Sequence, residues 1–232
     1  MLGPAMWTIP ILYEDQDILA VAKPAGLSTQ ASFDPRKENL YSLLQERRAE
    51  KLFLHHRLDK DTSGVILFGR HPRANKGLTD LFRDHQIQKT YWALAKKGKS
   101  HSSHEWTVRD HLAPVRGSNK NKMRMVRVKS GGWPAETSFR RLESFLDSEW
   151  IEALPKTGRT HQIRVHLAFE GQPILGDPLY GGRSSFVPRL LLHARSLEFA
   201  HPVTKEKQKI EAPIPDDFQA LLERARLGQK LS

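Results

Sequence analysis

Short apolar runs set off by polar turns dominate the first part of this chain. Ile11-Leu12-Tyr13 and Ile18 to Val21 flank the polar stretch Glu14-Asp15-Gln16-Asp17, a pattern that predicts a β-hairpin. Lys23-Pro24-Ala25-Gly26 ends it, because proline and glycine force a loop there. Gly64-Val65-Ile66-Leu67-Phe68 is apolar at every position and rich in β-branched residues, as a strand buried on both faces would be. Lys89 to Ala95 alternates as a strand. Further strands are predicted over Thr137 to Phe145 and Glu149 to Leu154, and a hairpin over Leu190 to Phe199 and Lys207 to Ala212, turning at His201-Pro202. Helical spacing marks Leu40 to Arg48, Arg73 to Asp84 with Leu78, Leu81 and Phe82, and Asp216 to Arg226 with acidic residues at its start. Thr160 to Glu170 reads as a helix with Thr160 as N-cap. Lys96 to His104 is polar and reads as an internal linker or exposed loop. Hairpins interspersed with helices predict an α+β fold around a mixed, mainly antiparallel central sheet.

Composition narrows the chemistry. The chain has 232 residues, enough for one large domain or two closely packed subdomains. Lysine and arginine exceed acidic residues by 37 to 26, a net charge of +11 that suits a polyanionic partner. Cysteine is absent, which excludes disulfides, thiolate metal sites and cysteine nucleophiles. No apolar run reaches the length of a membrane span, and Met1 to Pro10 has no signal-peptide pattern, so a cytoplasmic setting is expected. Eleven histidines raise the question of a metal. His161 and His166 are five apart and do not share a helix face, and no metal is expected.

The densest cluster of chemical groups is His56-Arg57-Leu58-Asp59-Lys60-Asp61-Thr62-Ser63-Gly64, just before the buried strand. Loops anchored by rigid elements are where functional groups tend to sit. Taken alone, Asp59 or Asp61 would more often be a turn residue bonding nearby backbone N–H groups. The whole run, however, resembles the signature of the RluA family of pseudouridine synthases: His-Arg-Leu-Asp, two variable residues, then Thr-Ser-Gly. Other segments resemble family motifs in family order: Lys23-Pro24-Ala25-Gly26, Lys89-Thr90-Tyr91, Thr157 to His166, Leu175 to Gly181, and Leu191-Leu192-His193-Ala194.

The resemblance implies a pseudouridine synthase fold with an active-site cleft. It also implies roles: Asp59 as catalytic aspartate, Tyr91 packed against the target base, and Arg164 as the cation paired with the aspartate. Arg57 would fill the space of the extruded base, Ile163 would lie on the other side of the uracil, and His56 would stand with the substrate-binding residues. The chemistry is consistent with this. Breaking N1–C1′ and joining C5 to C1′ involves no net oxidation and no hydrolysis, so no cofactor is expected, but an ionised carboxylate is needed. An adjacent, always-charged arginine favours that ionised form. By itself Arg164 could equally be a surface salt bridge, and Tyr91 a core filler on a strand.

Arg116, Lys120, Lys122, Arg124, Arg127 and Lys129 form a basic stretch with no acidic residue. It reads as an RNA backbone contact, against the alternative of a solvated loop or a charge-guarded strand edge. The expected partner is tRNA or large-subunit rRNA, handled by a monomer with no obligatory protein partner. Residues 1–10 read as an extension, 11–226 as the catalytic domain and 227–232 as a tail. The small S4-type RNA-binding module that precedes many relatives is not expected in so short an N-terminal segment. Two other readings stand beside this one. A non-enzymatic RNA binder would lack the full set Asp59, Tyr91 and Arg164, and a metal-dependent nuclease would need more clustered carboxylates than Asp59 and Asp61.

Overall fold

The apolar run at 64–68 is the middle of a strand whose seven residues are all buried. The computed structural model describes residues 7–31, 37–98, 103–116 and 123–232. In chain order the elements are β1 (Ile11–Glu14), β2 (Ile18–Lys23), α1 (Leu40–Arg48), β3 (Phe53–Leu54), β4 (Ser63–Gly69) and α2 (Pro72–Arg83). Then come β5 (Gln88–Lys96), β6 (Glu105–Arg116), β7 (Met123–Val128), β8 (Trp133–Ser144) and β9 (Ser148–Pro155). The rest is α3 (Gln162–Phe169), β10 (Leu192–Ala200), β11 (Lys207–Glu211) and α4 (Asp216–Arg226). The α+β expectation holds. The chain divides into two units, Met1–Ile87 with Ala194–Pro213, and Gln88–His193 with Ile214–Ser232.

In the first unit β1 pairs with β2, β2 and β3 with β4, and β10 with β11, all antiparallel. Its core is built from Ile18 to Val21, Val65 to Phe68, Leu40, Leu52 and Leu78, each fully buried. Asn39 caps α1 by accepting from Ser42 N at 3.0 Å. Pro72 opens α2, where a missing N–H costs nothing. Gly64 closes the signature run with φ +119°, and a Cβ there would lie 2.2 Å from the Ala194 carbonyl oxygen. Only glycine fits this seat.

In the second unit the strand order is β5-β9-β8-β6-β7, again antiparallel. One apolar cluster joins Ala93, Leu94, Phe139, Ile151, Leu167 and Phe218. Lys96 to His104, read as an internal linker or exposed loop, falls between β5 and β6 within this unit; Lys97 N donates to Asp147 O at 2.9 Å. The basic stretch contributes an edge strand, β7, over Met123–Val128. Finally, α3 begins at Gln162, after His161 in a left-handed conformation, and Thr160 does not cap it. The Gln162 side chain ties the start of the helix to the preceding loop and to β8. Its Oε1 accepts from Arg159 N at 3.0 Å and Thr157 Oγ1 at 2.7 Å, and its Nε2 donates to Glu136 O at 3.0 Å and Thr137 Oγ1 at 2.9 Å.

His166, on α3, is fully buried, with Nδ1 3.0 Å from Thr137 Oγ1. Burial, and then the Arg127 charge, push its pKa down to about 4 from 6.5. Between these values the unfolded chain binds a proton that the folded chain refuses. Stability is therefore complete above pH 6.5 and falls as the pH drops toward 4. The expected slope approaches about 1.4 kcal/mol per pH unit. Urea unfolding across this window should show that slope flattened in His166→Gln; an unchanged slope would assign the loss to other groups.

Candidate active site

The signature loop runs from β3 to β4 in the first unit, and both neighbours of Asp59 are pinned. On one side, Leu58 is buried and exchanges two bonds with Thr29: Leu58 N donates to Oγ1 at 3.1 Å, and Oγ1 donates to Leu58 O at 2.8 Å. On the other, Lys60 O accepts from Gly26 N at 2.9 Å and from Lys23 Nζ at 2.9 Å. The turn itself is closed by the main chain, Thr62 N to Asp59 O at 3.1 Å. Asp59 is half-buried and Arg57 is exposed. His56 Nε2 accepts from Leu67 N at 2.9 Å and its ring stacks on Phe82 at 4.4 Å, which anchors the loop to β4 and α2. A ring nitrogen that accepts is unprotonated, so the neutral ring carries its proton on Nδ1.

Lys23 explains why the Lys-Pro-Ala-Gly segment accompanies the signature. Its side chain is 1% exposed, and Nζ donates to Pro24 O at 2.9 Å, Leu27 O at 2.7 Å and Lys60 O at 2.9 Å. An ammonium has three N–H donors, and three carbonyls answer them. Replacing it with a thioether of similar length strands those carbonyls in a dry interior. Lys23→Met is expected to cost about 3 kcal/mol of stability and to slow turnover by loosening the Asp59 loop. Urea midpoints and single-turnover rates would test both, and wild-type values for the two would remove Lys23 from this account.

The second unit holds Tyr91, Ile163 and Arg164. Tyr91 lies on β5 opposite Ala153 in the β9 ladder and is half-buried. It packs against an apolar cluster of which Ile163, 6% exposed, is one member. Arg164, on α3, is not the surface salt bridge of the alternative reading. It is 5% exposed, and Asp177 grips one edge of its guanidinium, Nε to Oδ2 at 2.8 Å and Nη2 to Oδ1 at 2.9 Å.

Asp177 is fully buried and also accepts from Leu179 N at 2.9 Å and Tyr180 N at 3.2 Å. The Tyr180 ring lies under the guanidinium, 5.1 Å from Cζ, and its hydroxyl accepts from Met125 N at 2.9 Å. Arg164 is thus oriented by groups 13 and 16 residues further along the chain, Asp177 and Tyr180. The sequence marked both only as part of Leu175 to Gly181. A forked, always-charged donor held in this way presents a fixed positive charge.

Arg116 ends β6, and Arg124 is exposed on β7; Lys120 and Lys122 lie outside the described residues. Among the described residues, Asp15, Asp17 and His201 form a cluster with metal-ligand side chains. His201 Nδ1 accepts from Thr204 N at 3.1 Å, and its Nε2 lies 3.0 Å from Asp15 Oδ2. Arg73 takes both oxygens of Asp17, at 2.5 and 2.9 Å. Asp15 Oδ1 caps the β1–β2 turn, accepting from Asp17 N and Ile18 N at 2.8 Å each. These bonds tie the β1–β2 turn to Arg73 and to the turn at His201.

With this geometry in place, the comparisons are direct. A sequence model of the family described as RNA pseudouridylate synthase matches residues 17–169, and the chain belongs to that family. It is an RNA pseudouridine synthase, an isomerase, of the RluA type. The Ribosomal large subunit pseudouridine synthase C of Vibrio cholerae is 37% identical over 224 residues, covering 93% of this chain and 69% of that protein. The Uncharacterized RNA pseudouridine synthase YhcT of Bacillus subtilis is 36% identical, covering 94% and 72%. Among solved structures, Human RNA Pseudouridylate Synthase Domain Containing 4 aligns with a TM-score of 0.72 at 28% identity, covering 94% of this chain and 93% of that one. Among the described residues, no helix is long and apolar enough to cross a membrane.

Proposed function

We propose that the chain isomerises specific uridines of large-subunit ribosomal RNA, with Asp59 as the catalytic carboxylate. The observation that carries the catalytic assignment is the double clamp on the signature loop, Leu58 by Thr29 and Lys60 by Lys23 and Gly26. A carboxylate fixed through its backbone before substrate arrives needs little reorganisation during reaction. It acts either as nucleophile at C1′ or as base at the ribose, and either role requires it ionised. The target base is flipped from its stack, at a cost of a few kcal/mol. Tyr91 and Ile163 give the flipped uracil an aromatic and an apolar surface. Arg164, held by Asp177, supplies the positive charge that favours an ionised aspartate. Arg57, exposed on the loop, takes the vacated place in the stack. Arg124, with Arg116, Lys120 and Lys122, tracks the RNA backbone.

The substrate class follows the relatives, whose names specify the ribosomal large subunit. The purified protein should be incubated separately with large-subunit rRNA and with tRNA from a strain lacking it, and pseudouridines mapped at single-nucleotide resolution. New pseudouridine at one or a few rRNA positions is expected. Modification confined to tRNA would replace the substrate assignment, and none in either fraction would end it.

A further inference from the structure

Two recesses in the first unit adjoin beside the signature loop, and of their lining residues only Arg57 is given a substrate contact above. One, of about 530 Å³, is lined by Ser28, Thr29, Gln30, Arg57 and Lys60. The other, of about 760 Å³, lies past Gln30 and Ala31, which line both, and is walled by Tyr41, Lys51, Phe53, His55, Asn75 and Thr79. Each falls in the range of about 300–1,000 Å³ that holds a group of small-molecule size.

The lining is chemically specific. Cations stand at both ends, Arg57 and Lys60 near Asp59 and Lys51 at the far side, and among the described residues none of the three forms an ion pair. Tyr41 and Phe53 give apolar faces. The Tyr41 hydroxyl is spent on Leu52 O at 2.9 Å, and Lys51 Nζ sits 5.6 Å from the Phe53 ring centre. Between them the side-chain amides of Gln30 and Asn75 offer paired donors and acceptors of the kind that read a base edge. The far wall is held rigid. Thr79 Oγ1 donates to Asn75 O at 2.9 Å and so accepts from His55 Nδ1 at 3.3 Å.

We propose that this groove seats an unpaired nucleotide flanking the target uridine, and that Gln30 and Asn75 select its base. Aromatic or apolar faces for the ring, amides for its edge and cations for the phosphates are how single-stranded RNA is read in sequence. The groove starts at the residues on either side of Asp59, so a strand whose uridine is at Asp59 has its neighbour within reach of Gln30. The inference rests on the enzyme reading given above.

The test uses the full chain and transcripts of the RNA segment it modifies in the mapping experiment, with all four bases placed in turn at the two positions on each side of the uridine. Wild type should discriminate at one flanking position by about tenfold in kcat/KM. Gln30→Ala with Asn75→Ala should reduce that to about twofold or less and raise KM by about tenfold. Gln30→Glu and Asn75→Asp replace donors with acceptors and should change which base is preferred, a result that misfolding does not produce. Lys51→Gln should lower the slope of log KM against log salt by about 0.7, one phosphate contact on a single strand. Wild-type activity with no flanking discrimination, or with discrimination identical in every variant, overturns the groove assignment and leaves the enzyme intact. A wild type that forms no pseudouridine overturns the enzyme reading itself.

Discussion

Asp59→Asn is expected to fold as wild type, bind RNA and form pseudouridine more slowly by about a thousandfold or more. The amide keeps the volume and the loop's main-chain clamps, which come from Leu58, Lys60 and Thr62 and not from the carboxylate. What it loses is the negative charge and the lone pairs that attack the sugar or take its proton. Asp61→Asn is the internal control. It is half-buried, two residues away and also an aspartate, and should remain within about threefold of wild type, because the loss follows position rather than net charge. Single-turnover rates on the mapped RNA, beside melting curves for both variants, decide the matter. A rate for Asp59→Asn within tenfold of wild type would move the chemistry to another group.

Asp177→Ala is expected to have the largest effect on stability. It removes the bidentate partner of a guanidinium that is 5% exposed, at about 3–5 kcal/mol. It also strands Leu179 N and Tyr180 N. The informative comparison is Asp177→Leu combined with Arg164→Met. Replacing both ions with apolar side chains of similar size removes the two buried charges together, so most of the lost stability should return. Activity should not return, since Arg164 is gone. A double variant as unstable as Asp177→Ala would mean that the ion pair is not the source of the loss. A double variant with normal turnover would mean that Arg164 has no part in the reaction.

The elements legible in the sequence are those whose pattern is set locally. α1 and α4 fall where their caps and periodicity put them, at Leu40–Arg48 and Asp216–Arg226. β4 announces itself because both faces are buried. β6 did not. Its buried residues, Val108 and Leu112, share one strand face with Asp110 between them, and that charged position breaks the apolar alternation. Its extended form is imposed by long ladders to β7 and β8 on either side. β7, an edge strand, has solvent where a neighbour would demand apolar side chains. The helix α3 starts two residues past Thr160 because His161, in a left-handed conformation, stands at its N-cap.

The candidate site divides in the same way. Asp59, Tyr91 and Arg164 were readable only as members of an ordered set of motifs. The pairing of Arg164 with Asp177 could not be read at all. No periodicity connects residues 13 apart across a helix and a loop, and the bond exists because the fold returns the chain to α3.

Gly64 rests against Ala194, and this contact has a consequence for the order in which the protein can mature. The unit that carries Asp59 is assembled from Met1–Ile87 and Ala194–Pro213, with the whole of Gln88–His193 made in between. At about 5–20 residues per second, the ribosome takes on the order of ten seconds to supply the missing strands after β4 is finished. Throughout that interval β4, buried on both faces in the finished protein, waits beside a vacancy that β10 will fill. The loop around Asp59 acquires its final backing late, after nearly all of the chain has been translated. Until Ala194 is made, the early part of this unit is the portion of the nascent chain most open to wrong association.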